Sequence, residues 1–250
     1  MSAAAEHDRA LVYRLGGIVA LVALGGMVLD IVLTMLPGWG PDTVPADAAG
    51  WLAQLTSQPL LGLRNLDLLN LTVSVISLLL YVALFVALWP DAPGLALLGT
   101  LLVAIGTAAF AGANAALPML ELAGRHVAAS PTARAALETS AAALLARGAH
   151  GSMGAFPGFF LSAAGTLVLT LAMLRSGVFS RRIGVIGAIG SGLLLVYTVA
   201  YTFSAGESVL IMAIAAPGGL LMIAWYAMVG RRLLGFGSRQ QDASVALVRQ

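Results

Sequence analysis

Six predominantly apolar runs organise this chain, at residues 11–36, 64–89, 95–122, 149–174, 183–203 and 207–229. The shortest has 21 residues, and about 20 are enough for a helix to cross the hydrocarbon core of a bilayer. The runs therefore predict an all-α, polytopic membrane helix bundle with six transmembrane helices. Composition agrees: 60% of residues are hydrophobic, 10% are charged, and mean hydropathy is +0.95. Soluble domains carry about 25% charged residues. The first run is too long for the apolar region of a secretory signal, about 7–15 residues, and reads as a retained span.

Residues 1–10 read as a short polar leader, 11–230 as the transmembrane domain, and 231–250 as a basic tail. With six spans both termini lie on one side. If that side is cytoplasmic, it holds Arg9, Arg14, Arg175, Arg181, Arg182, Arg231, Arg232, Arg239 and Arg249. The other face holds Arg64, Arg125, Arg134 and Arg147. The arginine bias favours cytoplasmic termini. All 13 basic residues are arginine, which with the high alanine and leucine reads as GC-rich bacterial coding and an inner-membrane protein. The arginines sit at run ends and form no patch, so the pI near 9.4 is no nucleic-acid signal. Without cysteine, disulfides, thiolate metal sites and cysteine nucleophiles are excluded.

Two short peripheral helices are expected on the outer face. Pro45 and Asp47 open one, with Trp51, Leu52 and Leu55 on one side, as in a helix resting on the membrane surface. Ser130 and Pro131 open the other, where Arg134 and Glu138 are spaced to pair and Gly148 is a stop. The fourth run carries small residues at Gly151, Gly154, Gly158, Ser162 and Gly165, a seam for close helix packing.

The second run is the most informative. Asp67, Asn70, Ser74, Ser77 and Tyr81 are spaced three, four, three and four, which puts them on one helix face over about 21 Å. Such a stripe should face other helices or water. The topology sets further polar residues at the same outward depth: Asp30, Arg64, Asn114, Glu121, His150 and Tyr201, with Tyr197, Thr198, Thr202 and Glu207. Charges in a bilayer cost a few kcal/mol each and pair or face water. The expected candidate pocket is accordingly Asp30, Arg64, Asp67, Asn70, Asn114, Glu121, His150 and Tyr201, with the inner half almost wholly apolar. Ser74 to Tyr81 is then a packing seam. Structural readings stand beside these: Asp30 paired with Arg64, Arg64 paired with Asp67 or snorkelling, and Glu207 closing a capping box with Ser204. Pro118 would free the carbonyl of Asn114, and Pro217-Gly218-Gly219 would break or kink the sixth helix.

His126 and His150, with Asp30, Asp67 and Glu121, could supply a metal site on paper, but no His-x-x-x-His or related spacing supports it. No cofactor is expected. The readings that remain are a small-molecule binding or transport protein with an outward pocket, and a non-enzymatic membrane scaffold or partner subunit. An intramembrane metal hydrolase is the least supported.

Three segments carry a resemblance: Arg14-Leu15-Gly16-Gly17; Pro59-Leu60-Leu61-Gly62-Leu63 with Leu66-Asp67-Leu68-Leu69; and Arg175-Ser176-Gly177-Val178-Phe179 leading to Arg182-Ile183-Gly184-Val185-Ile186-Gly187. In these the chain resembles a bacterial family of six-helix membrane proteins catalogued as a domain of unknown function, 4386. Ser180 is a departure, since the family commonly has proline there. The resemblance implies topology over nearly the whole chain and no reaction or catalytic residue.

Overall fold

The computed structural model describes residues 3–204 and 209–248. They form ten α-helices and no strand. Six of the helices are the long ones: α1 (Ala3–Thr34), α4 (Leu68–Leu88), α5 (Pro93–Ala113), α8 (Phe156–Arg175), α9 (Arg181–Phe203) and α10 (Val209–Val248). All six are long and apolar enough to cross a membrane. The other four are short: α2 (Ala48–Ser57), α3 (Pro59–Asn65), α6 (Ala116–Val127) and α7 (Pro131–Gly148).

Each long helix packs against the next in chain order, and α10 closes against α1. The result is an antiparallel ring of six helices around a central space. Its tightest joints are made by small residues. A Cβ at Gly165 would lie 2.6 Å from the Gly99 carbonyl oxygen, and one at Gly106 would lie 2.8 Å from that of Gly158. Gly158, Ser162 and Gly165 of the expected seam therefore fit α8 onto α5. Gly151 and Gly154 fall in the turn before α8 instead.

Outward faces are also apolar. Ile18, Val22 and Leu29 on α1, Leu98 and Ile105 on α5, and Ile189 and Val196 on α9 are each at least about half exposed. A water-soluble monomer rarely exposes so much contiguous apolar surface; a bilayer accepts it.

The short helices gather at one end of the ring. Trp51, Leu52 and Leu55 of α2 are buried against Met119 and Ala123 of α6 and Ala141 of α7. The cap thus has four short helices rather than two, and the apolar face of α2 meets protein rather than lying on a membrane surface. Asp47 does cap α2, accepting from the Gly50 N–H at 2.7 Å, and Ser130 caps α7. Arg134 and Glu138 do not pair. Glu138 meets His126 at 3.0 Å, and Arg134 donates to the Val127 carbonyl.

Several boundaries differ from the sequence reading. The third run divides at Asn114 and Ala115, because 28 residues would make about 42 Å of helix, more than a bilayer core needs. The 21 residues of α5 span alone, and Pro118 sits in the first turn of α6, where a missing N–H costs nothing. The fourth span begins at Phe156, not residue 149. α10 runs on through Pro217 and past Arg231. Leu233 is fully buried and Phe236 packs on Tyr13 and Phe179, so the expected tail starts as packed helix. Likewise the expected leader is helical from Ala3. Ser204 ends α9 at its C-cap; the capping box it would form with Glu207 lies outside the described residues.

Because the α5–α8 joint is backbone against backbone, Gly165→Val should destabilise the fold by about 1–3 kcal/mol, the range for overpacking. Gly192 has open space where its Cβ would be, so Gly192→Ala should be neutral or slightly stabilising. Thermal unfolding of the two variants in detergent measures the contrast.

Candidate functional site

The centre of the ring is a cavity of about 400 Å³, and all six long helices contribute to its wall. Small-molecule sites commonly occupy about 300–1,000 Å³. Met27, Ile31, Val73, Phe159, Leu194 and Ile223 form the apolar part. Asn70, Ser74, Ser77 and Tyr81 line the α4 side, so the polar stripe does face the interior. It does not divide into a site and a seam. The cavity follows it downward, and Thr107, Ser162, Thr166, Ser191 and Tyr226 answer it from the other helices. The expectation of an almost wholly apolar inner half is overturned. The signal for these residues was in the sequence at helical spacing: Ser162 and Thr166 are four apart, and Ser191 and Thr198 seven apart.

At the capped end the mouth is built by a break in the chain. The second run does not form one helix from Arg64. α3 stops at Asn65, and Asp67 takes a left-handed conformation, φ 61°, before α4 starts. Aspartate is among the few residues besides glycine that visit this region. Its side chain does not cap α4. It reaches instead to His150, whose Nδ1 lies 2.8 Å from Asp67 Oδ2. His150 Nε2 lies 3.1 Å from the Tyr197 hydroxyl. With Nδ1–H donating to the carboxylate, Nε2 of a neutral ring accepts from tyrosine. Gly151, at φ +75°, brings the turn against the Tyr201 ring, where a Cβ would lie 2.2 Å from Cε1. His150 also stands edge-on to Tyr201 and Phe159.

A second cluster ties α1 to α3. Arg64 Nε donates to Asp30 Oδ1 at 3.0 Å, Nη1 donates to the Trp39 carbonyl at 3.1 Å, and Nη2 donates to Thr34 Oγ1. Its side chain is 14% exposed against 47% for Asp30. Arg64 therefore neither snorkels nor pairs with Asp67; it holds Asp30, which remains on the cavity wall.

The eight expected pocket residues thus separate. Asp30, Asn70, His150 and Tyr201 line the cavity. Arg64 and Asp67 stand behind it, each holding a lining residue. Asn114 is not on the wall. Its Nδ2 donates to the Leu66 carbonyl at 2.9 Å and its Oδ1 accepts from the Ala116 N–H at 3.0 Å. Asn114 is consumed in joining the α5–α6 break to the start of α4. Glu121 is on the cap surface, 3.8 Å from Arg125, with both side chains about two-thirds exposed or more. Among the described residues no three His, Asp or Glu side chains converge as a metal site.

The floor lies about 20 Å down α4, thirteen residues from its start at about 1.5 Å each. There Tyr81 Oη is 2.9 Å from Thr166 Oγ1 and 3.3 Å from Tyr226 Oη. Beneath it Leu84, Leu88, Leu169, Met173, Trp225 and Val229 form a fully buried plug. The cavity is closed toward the end carrying the arginines.

A closed ring of six membrane-crossing helices around a capped, one-ended cavity defines the class: a multi-pass, all-α membrane protein. The chain belongs to the family described as Domain of unknown function (DUF4386), whose model matches residues 10–230. No curated protein and no solved structure matches it significantly.

The left-handed backbone at Asp67 separates two contributions. Asp67→Ala and Asp67→Gly both lose the His150 contact, but only alanine is strained there. Asp67→Ala should be less stable than Asp67→Gly by about 1 kcal/mol, the reverse of helix propensity. Paired thermal unfolding curves in detergent measure the difference.

Proposed function

We propose that this protein binds a small molecule in the central cavity and exchanges it through the capped end. We place that end on the outer face of a bacterial inner membrane, with both termini cytoplasmic. The observation that carries the reading is the cavity, about 400 Å³ of amphipathic space at the centre of a ring whose α1–α10 and α5–α8 joints are backbone against backbone. Protein interiors are close-packed, and an empty centre costs stability in proportion to its volume. A scaffold that needed only its outer faces would be expected to fill that space. The mouth residues Asp30, Asn70, His150 and Tyr201 supply hydrogen-bonding groups at the entrance, and the apolar plug closes the other end.

Two measurements test the proposal, the first helped by the absence of native cysteine. Ser57→Cys on the cap should react with an impermeant maleimide in intact cells, and Asp91→Cys in the α4–α5 turn should react only after permeabilisation. The reverse pattern would overturn the orientation. Gly219 lines the cavity and has open space at its Cβ, so Gly219→Phe should occupy the cavity without unfolding the bundle. Native mass spectrometry of protein extracted under mild conditions should show a bound small molecule in wild type and none in Gly219→Phe. An unmodified mass for wild type, after reconstitution in its own lipid extract, would sink the binding reading.

A further inference from the structure

The hydroxyl groups at the cavity floor are not equivalent. The Ser162 carbonyl can only accept, so Thr166 Oγ1, 2.9 Å away, donates to it. With that proton committed, Tyr81 donates to Thr166 Oγ1, and Tyr226 in turn donates to Tyr81 Oη. The chain runs one way, from Tyr226 through Tyr81 and Thr166 to a backbone carbonyl. Every proton in it is used, and the Tyr226 oxygen is left as an acceptor.

Ser77 stands one helical turn from Tyr81, next to Tyr226, and faces the same cavity. It is 1% exposed, and its hydroxyl faces the Tyr226 oxygen without reaching hydrogen-bond geometry to it or to any other group. Serine in a helix usually donates to the carbonyl four residues back. Ser74 and Ser191 do so, and Ser77 does not. A buried hydroxyl without a hydrogen bond is destabilising until something satisfies it. The floor therefore presents a donor, Ser77, and an acceptor, Tyr226, that face each other too loosely to form a hydrogen bond, with no charged side chain lining the cavity at that depth.

We propose that the floor is a recognition site for a neutral hydroxyl group, carried by an uncharged amphiphile whose apolar body lies along Met27, Val73, Phe159 and Ile223. An alcohol is the complement of the pair: its oxygen accepts from Ser77 and its proton goes to Tyr226 Oη. An ether or ester oxygen satisfies only Ser77. A carboxylate or ammonium would bring a charge to a depth that offers no counter-charge. The proposal rests on the cavity being a binding site, and the test separates the two.

The probe is a diazirine-bearing octanol, photolysed with the protein in phosphatidylcholine nanodiscs, and adducts are mapped by peptide mass spectrometry. Adducts are expected on α8 and α10 peptides that line the cavity. 1-Octanol should compete about five- to tenfold better than its methyl ether, the worth of one hydrogen bond. That preference should collapse toward parity in Tyr226→Phe; in Ser77→Ala it should persist while alcohol and ether both compete about five- to tenfold less well; and Thr72→Ala, whose side chain lies off the cavity, should change neither. The two variants remove opposite halves of the pair, so either one, if folded by size exclusion, is sufficient. Cavity adducts with the same alcohol preference in wild type and Tyr226→Phe, or with both competitors as potent in Ser77→Ala as in wild type, would overturn the hydroxyl site and leave the binding cavity standing. Cavity adducts with no alcohol preference in wild type would do the same, as expected if Ser77 holds only water. Absence of cavity adducts would overturn both.

Discussion

The close approach of helix backbones at glycine is what the rest of the structure depends on. α1 and α10 meet at Gly17 and Gly230, where a Cβ on either residue would lie about 3 Å from the other's carbonyl oxygen. α5 and α8 meet at Gly99, Gly106, Gly158 and Gly165. Within a bilayer the hydrophobic effect does not drive helices together, so close van der Waals packing must. These joints fasten four of the six helices to a ring neighbour at backbone contact. Below Tyr81 the ring's side chains fill the centre, and above it they leave it open. That open space is the central cavity.

The cap turns that cavity into a site with one entrance. Its four short helices have their own core around Trp51, Leu52, Leu55 and Met119, and this core fixes where the breaks in the chain fall. Asn114 joins the break between α5 and α6 to the Leu66 carbonyl. One residue on, Asp67 turns the chain in a left-handed conformation and holds His150 at the mouth. Arg64, on the same short segment, holds Asp30 from the opposite side. Two pairings from one polar segment thus position two lining residues, Asp30 on α1 and His150 in the turn between α7 and α8. These polar pairs sit near the capped end, and the deeper wall is left to neutral hydroxyls.

Much of this was legible in the residues themselves. The six spans, the inward-facing stripe from Asn70 to Tyr81, the Asp30–Arg64 pair as one of two readings, and the seam from Gly158 to Gly165 all follow from periodicity and the cost of burying charge. What was not legible has a common cause. Asn114 and Glu121 share a depth with the mouth residues, but depth along a span says nothing about rotation around the helix axis. It also fails where the helix ends early, as α5 does one residue before Asn114. Arg64 and Asp67 read as the start of a span because an apolar run has no mark for a left-handed residue inside it. Tyr226 is the one hydroxyl-bearing residue of α10 before Arg231, with no stripe of its own to announce it. The inner half read as apolar because its hydroxyls are spread over five helices, each contributing one, two or three.

The sequence by itself determined the solvent, the number of crossings and the class of fold. Apolar runs of bilayer length have few other stable arrangements, since their backbone groups must be satisfied within each segment. It also determined that the second span has a polar face turned away from lipid. Only the tertiary structure decided what that face meets. Ring closure brought Thr166 and Tyr226, 85 and 145 residues away in sequence, to Tyr81, and left Ser77 facing Tyr226 short of hydrogen-bond geometry. Which hydroxyls are spent and which remain is a property of distances between helices, and no local pattern encodes those.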